Sequence, residues 1–96
     1  MRHVKRLLEW ILIGSSGGHN RIRIVELLVE KPYNAHQLAI LLKLDYKTVR
    51  HHLDILKKNR LIISMGTGYA MVYCPSKITE DNIDLFKEIV GKFGKN

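Results

Sequence analysis

Between Tyr46 and Lys58 aliphatic and cationic side chains are sorted with the period of an α-helix, so this segment can be buried on one side only. Val49, His52, Leu53 and Leu56 form the inward stripe, and Lys47, Arg50, His51, Asp54 and Lys58 point away from it. Asp45 stands just ahead, where its carboxylate caps the helix and meets the positive end of the dipole. A shorter helix precedes it. Asn34 and Gln37 have the spacing of a capping box, Leu38, Leu41 and Leu42 are expected inside, and Lys43-Leu44 makes a tight connection. Two short helices joined by a few residues, the second one basic, form a helix-turn-helix.

The flanks extend this pattern. Val4, Leu7, Leu8 and Ile11 predict an amphipathic helix over residues 2–13, and Gly14-Ser15-Ser16-Gly17-Gly18 reads as a loop. Asn20 is placed to cap a second helix with Ile22, Val25, Leu28 and Val29 inward, and Arg21, Arg23, Glu26 and Glu30 facing water. Lys31-Pro32 ends it. After Arg60 the period changes to that of strands. Leu61–Met65 and Tyr69–Tyr73, split by Gly66-Thr67-Gly68, predict a hairpin with a three-residue turn, closed by Pro75. Thr79 is expected to cap a last helix carrying Ile83, Phe86, Val90 and Phe93 on one seam. The fold expected is mainly α with a small β-hairpin, a winged helix-turn-helix. Residues 1–18 give the N-terminal helix and loop, 19–76 the winged unit, and 77–96 a dimerising helix.

Charge narrows the partners. Lysine and arginine outnumber acids 16 to 9, a net charge of +7, and residues 43–60 hold six bases against two acids. An anionic partner is expected, nucleic acid ahead of a membrane surface. The apolar N-terminal stretch is charged within and far short of the roughly 20 residues a span needs, so no membrane segment and no signal peptide is expected, and the location expected is cytoplasmic. The single cysteine, Cys74, excludes an internal disulfide and a multi-thiolate metal site. It is expected to be a small, partly buried hydrophobe. No nucleophile–base pair or phosphate-cradling glycine motif occurs, so the reading is not an enzyme and needs no cofactor. His51 and His52 are adjacent, and adjacent helical positions diverge, whereas zinc pairs sit four apart; no metal is assigned.

Over residues 34–74 the sequence resembles the ArsR-type winged-helix regulators, most of all archaeal members without metal-binding cysteines. Leu44-Asp45-Tyr46-Lys47-Thr48-Val49-Arg50-His51-His52-Leu53-Asp54-Ile55-Leu56 carries the resemblance, with its Thr-Val, His-His-Leu and second leucine. Ala39 stands where the pattern takes a small residue at the helix crossing, and Gly68–Tyr73 covers the wing. Lys43 departs from the pattern, standing where the turn often has glycine. The paired cysteines of metal-sensing relatives are absent from Gln37–Leu42, so the resemblance implies DNA binding and not metal sensing.

A recognition helix at about 46–58 places Tyr46, Lys47, Arg50 and His51 nearest base edges in the major groove. Arg50 suits the bidentate contact to guanine, and Lys47 serves either a base or a phosphate. Tyr46 either meets a thymine methyl or stacks on its own protein, and Thr48 either bonds a phosphate or joins the cap. Lys57, Lys58 and Arg60 fall further along, on phosphates. Asn34 and His36 either face a phosphate at the start of the preceding helix or only cap it. Thr67 marks the wing tip, whose lack of Arg and Lys implies a weak contribution. Arg21 and Arg23 either reach phosphates or only solubilise their helix.

The end helices carry more apolar surface than one small core covers. Val4, Leu7, Leu8, Trp10, Ile11, Ile83, Phe86, Val90 and Phe93 are therefore expected at a homodimer interface, the alternative being that both helices fold back on their own domain. The function expected is a dimeric regulator of a palindromic double-stranded DNA site. A winged helix for protein–protein contact within a transcription assembly and a non-specific chromosomal DNA-binding protein are the alternatives.

Overall fold

The computed structural model describes residues 2–14 and 17–93, except the side chains of Arg2, His3, Tyr69, Lys92 and Phe93. Ser15 and Ser16 of the expected loop, and the Phe93 side chain expected at an interface, lie outside the described residues. The elements run α1 (Arg2–Glu9), α2 (Gly18–Glu30), α3 (Ala35–Leu42), α4 (Tyr46–Lys58), β1 (Ile62–Met65), β2 (Val72–Pro75), α5 (Lys77–Asp81) and α6 (Ile83–Phe93). A π-helical turn, Trp10–Gly14, prolongs α1. The architecture is mainly α with one antiparallel hairpin, the winged helix-turn-helix expected.

The interior lies where α2, α3 and α4 meet the hairpin. Ile24, Val25, Leu28, Leu38, Val49, Leu53, Leu56, Leu61 and Ile62 are fully buried there. The stripe of α2 differs from the expected one. Arg21, Ile24, Val25 and Leu28 face inward at i, i+3, i+4 and i+7, while Ile22 is half-buried and Val29 is exposed. Arg21, expected to face water, is only 1% exposed. In α3, Leu38 and Leu42 are buried, but Leu41 is exposed and its neighbour Ile40 even more so. The capping of α2 also differs. Gly17, at φ 85°, precedes the helix without a side-chain cap, and Asn20 lies inside the first turn. Both glycines are required by close approach. A Cβ on Gly17 would stand 2.6 Å from His52 Cε1, and one on Gly18 2.1 Å from the Leu12 carbonyl oxygen.

The hairpin pairs Ile62 with Pro75, Ile63 with Cys74, Ser64 with Tyr73 and Met65 with Val72. The connection is therefore residues 66–71, with a 3₁₀ turn at Gly68–Ala70, instead of the three-residue turn expected. A third backbone joins the sheet edge: Tyr73 N donates to Tyr33 O at 2.8 Å and Tyr33 N to Tyr73 O at 3.4 Å. The C-terminal helix is broken in two at Asn82. Ser76, not Thr79, caps α5, its hydroxyl accepting from Thr79 N at 3.3 Å. Thr79 is buried and its hydroxyl donates to Leu61 O at 2.8 Å, pinning α5 to the start of the hairpin.

The end helices close the core from within the chain. α1 packs on α6, and Leu8, Ile11 and Phe86 are buried with Leu12 and Ile89. That corrects the expectation for Leu8, Ile11 and Phe86, which this packing withdraws from any partner. Val4, Leu7, Ile83 and Val90 are half-buried. Trp10 is 62% exposed.

Candidate nucleic-acid interface

Two local caps fix where α3 and α4 begin. Asn34 Oδ1 accepts from Gln37 N and Gln37 Oε1 from Asn34 N, each at 2.8 Å, the reciprocal capping box. Asp45 Oδ1 accepts from Thr48 N at 2.7 Å and its Oδ2 from the Thr48 hydroxyl at 2.9 Å. The Thr48 backbone N–H and then its hydroxyl hold the Asp45 carboxyl below its usual pKa. The Thr48 hydroxyl hydrogen thus belongs to the cap.

Both helices end in the same way. Leu44 N bonds Ala39 O at 3.0 Å around Lys43 at φ 57°, and Leu61 N bonds Leu56 O at 2.9 Å around Arg60 at φ 62°. These are Schellman closures with a cation where glycine is usual. The turn before α4 is therefore left-handed at Lys43.

One side of α4 is anchored in the core by Val49, His52, Leu53 and Leu56, all buried. His52 Nδ1 lies 3.1 Å from Arg21 Nη1, and Arg21 Nε donates to Ile11 O at 2.9 Å. An arginine in this position has only hydrogens to give, so His52 Nδ1 is the acceptor and the imidazole is neutral. Burial first, then Arg21 and His51, pushes the His52 pKa down, in the same sense.

The opposite side of α4 is open. Tyr46, Lys47, His51, Asp54, Lys57 and Lys58 are exposed. Tyr46 stacks on His36 of α3, ring centroids 4.4 Å apart and planes 22° apart. Of the two alternatives for Tyr46, the structure contains the stack on its own protein. Arg50, with its side chain 38% exposed, leans toward the hairpin. Its Nη1 donates to the Tyr73 hydroxyl at 3.4 Å, and its Nη2 stands 4.0 Å from Asp54 Oδ1. Asn34, His36, Tyr46, Arg50, Met71 and Tyr73 line a cleft of about 190 Å³ between the starts of α3 and α4 and the base of the wing.

Four of the expected contact residues, Asn34, His36, Tyr46 and Arg50, thus meet at one cleft, with Lys47 and His51 exposed on the same helix. Lys57 lies at the other end of α4, beside a separate groove shared with Arg60, Ile63 and Lys77. Thr67 is exposed in the wing loop, its carbonyl accepting from Ala70 N at 3.1 Å. Tyr73 was missed as part of this surface. Its only sequence signal is strand alternation, which puts it between the half-buried Val72 and Cys74 and facing α4. Arg23, read as facing water or phosphate, donates to Asn20 Oδ1 and Leu42 O, each at 3.3 Å, and so links α2 to the end of α3. Cys74 is half-buried, and burial, then Glu80, pushes its thiol pKa up. Among the described residues no group of three His, Cys, Asp or Glu is placed to hold a metal ion.

Comparison with known proteins agrees with this geometry. The model of the bacterial regulatory protein arsR family matches residues 19–64. Curated protein sequences give no match. Among solved structures, reduced HlyU from Vibrio cholerae N16961 is 17% identical, covers 99% of this chain and 94% of its own, and superposes with a TM-score of 0.70. The winged helix-turn-helix domain of Mb0332 from Mycobacterium bovis is 18% identical, with 96% and 82% covered and a TM-score of 0.70. Rv0081 from M. tuberculosis is 25% identical, with 76% and 75% covered and a TM-score of 0.62. The match to the arsR family model takes in the helix-turn-helix and the first strand, just under half of the chain, and the winged helix-turn-helix fold is shared with these structures from end to end.

Proposed function

We propose that this chain is a transcriptional regulator of the ArsR type that binds a specific double-stranded DNA site as a homodimer, with α4 in the major groove. The observation that carries the reading is the division of α4: Val49, His52, Leu53 and Leu56 are buried, and Lys47 and His51 lie in the open with Arg50 at the edge of a cleft. Tyr46, Lys47, Arg50 and His51 read bases from the first turns of the helix. Lys57 and Lys58 meet phosphates, Asn34 and His36 flank the backbone at the start of α3, and Thr67 touches it from the wing. Thr48 holds the cap while its oxygen faces the groove.

The dimer uses what the end helices leave outside: Trp10 with Val4, Leu7, Ile83 and Val90. The Mb0332 domain is described as a homodimeric winged helix-turn-helix DNA-binding domain, and the shared fold supports the same assembly here. A two-fold axis sets the recognition helices about 34–36 Å apart, on a palindromic site. Among the described residues no helix is long and apolar enough to cross a membrane. On this reading the protein works in the cytoplasm beside its DNA, with no catalysis and no cofactor assigned to it.

Selection from random duplex DNA, followed by titration at fixed salt, tests the reading. An inverted-repeat motif is expected. Arg50→Ala relaxes preference at one base position in each half-site. Lys58→Ala weakens all duplexes alike and lowers the salt slope by about one. Binding to every duplex equally would point to a non-specific chromosomal protein. No binding at moderate salt would favour a protein-contact module.

A further inference from the structure

We propose that Tyr73, in the wing strand, is a positioning residue that aims the Arg50 guanidinium at its base. The inference rests on the reading of α4 as the recognition helix and deepens it.

Arginine reads guanine through two parallel N–H bonds, so discrimination depends on the plane of its fork as well as on its charge. A solvent-exposed arginine samples many rotamers and would have to be ordered on binding. Arg50 differs from the other cations of α4 in this respect. Nη1 donates to the Tyr73 hydroxyl at 3.4 Å and Nη2 lies 4.0 Å from Asp54 Oδ1, so an acceptor on the wing and a carboxylate at ion-pair distance a turn along the same helix flank the two ends of the fork. Lys47, Lys57 and Lys58 are exposed. Tyr73 in turn is a rigid support. It is 3% exposed, pairs with Ser64 of β1, and exchanges backbone hydrogen bonds with Tyr33 on its other side. Burial pushes the phenol pKa up, opposed by Arg50, so the group stays a neutral hydroxyl that can accept from the arginine. Through this contact the wing, whose residues 61–76 contain no cation, acts on readout without touching a base.

The test is Tyr73→Phe, which keeps the buried ring and removes only the hydroxyl, in the full-length protein. Binding is measured to the selected site, to each single-base variant of it, and to unrelated duplex. Expected is a loss of about threefold to tenfold in discrimination at the position read by Arg50, as for one side chain that must be ordered on binding. Preference elsewhere, affinity for unrelated duplex and the thermal midpoint stay as in the parent. In an Arg50→Ala background the same substitution changes nothing further. A purely structural role would instead lower the midpoint and weaken all duplexes equally, which overturns the proposal. Unchanged discrimination in Tyr73→Phe while Arg50→Ala relaxes one position overturns it alone. A parent protein without sequence preference, or an Arg50→Ala variant with intact preference, overturns the reading beneath it as well.

Discussion

The guanidinium of Arg21 sits on the inner side of α2, between the Ile11 carbonyl of the π-turn and the His52 ring of α4. It joins the N-terminal segment, α2 and the recognition helix at one point. Truncation would leave a buried carbonyl and a buried ring nitrogen without this donor, together with a cavity. Arg21→Ala is therefore expected to cost about 3 kcal/mol, against at most about 0.5 kcal/mol for a solvated surface arginine, as read by urea unfolding. Position 21 does lie on the i, i+3, i+4, i+7 stripe with Ile24, Val25 and Leu28, but a charged side chain at a helix start reads as surface. Its partner His52 is 31 positions away, and nothing local announces the contact. His52 itself was legible, because its place beside Val49, Leu53 and Leu56 needs only the helical period.

The starts of α3 and α4 are delimited by signals that span three residues, which makes them legible in the sequence. Asn34 with Gln37 and Asp45 with Thr48 are neighbours in sequence and in space. The two closures are less obvious, since glycine is replaced by Lys43 and Arg60 at left-handed positions. A left-handed non-glycine residue costs about 1–2 kcal/mol, and glycine's extra chain entropy takes back about 0.5–1 kcal/mol. Lys43→Gly is expected to stabilise the fold by about 0.5–1 kcal/mol, measured as a higher urea midpoint with unchanged slope. The wing was harder to read. Tyr69-Ala70-Met71 has strand composition, yet a 3₁₀ turn takes up Gly68–Ala70, and the register is held from outside by Tyr33. Thr79 and Ser76 both fit a cap by residue type, and the Leu61 carbonyl, 18 positions away, decides which hydroxyl is drawn inward.

At the scale of the whole chain, one continuous interior runs from α1 to α6, so a titration in it is felt as global stability. The native state disfavours protonated His52, whose pKa is lowered by burial, Arg21 and His51. The unfolded chain accepts that proton at about 6.5. Stability contributed by neutral His52 is thus fully present above about pH 6.5 and is lost as pH falls below it toward the depressed native value. Urea midpoints between pH 5 and 8 are expected to be level above 7 and to decline below 6.5, and His52→Asn, which offers an oxygen near the Nδ1 position, should flatten the decline. The terminal helices mark the limit of what periodicity can tell. It located the apolar stripes of residues 4–11 and 83–93, but whether a stripe meets its own chain or another is a question of distance in space. Leu8, Ile11 and Phe86 turn inward, while Trp10 stays out.

That indole has one more consequence. Tryptophan occurs once in the sequence, and it stands in the open at the junction of α1 with the π-turn. Ultraviolet emission excited at the red edge therefore originates from a single corner of the protein, and its colour and its quenching by iodide gauge how wet that corner is.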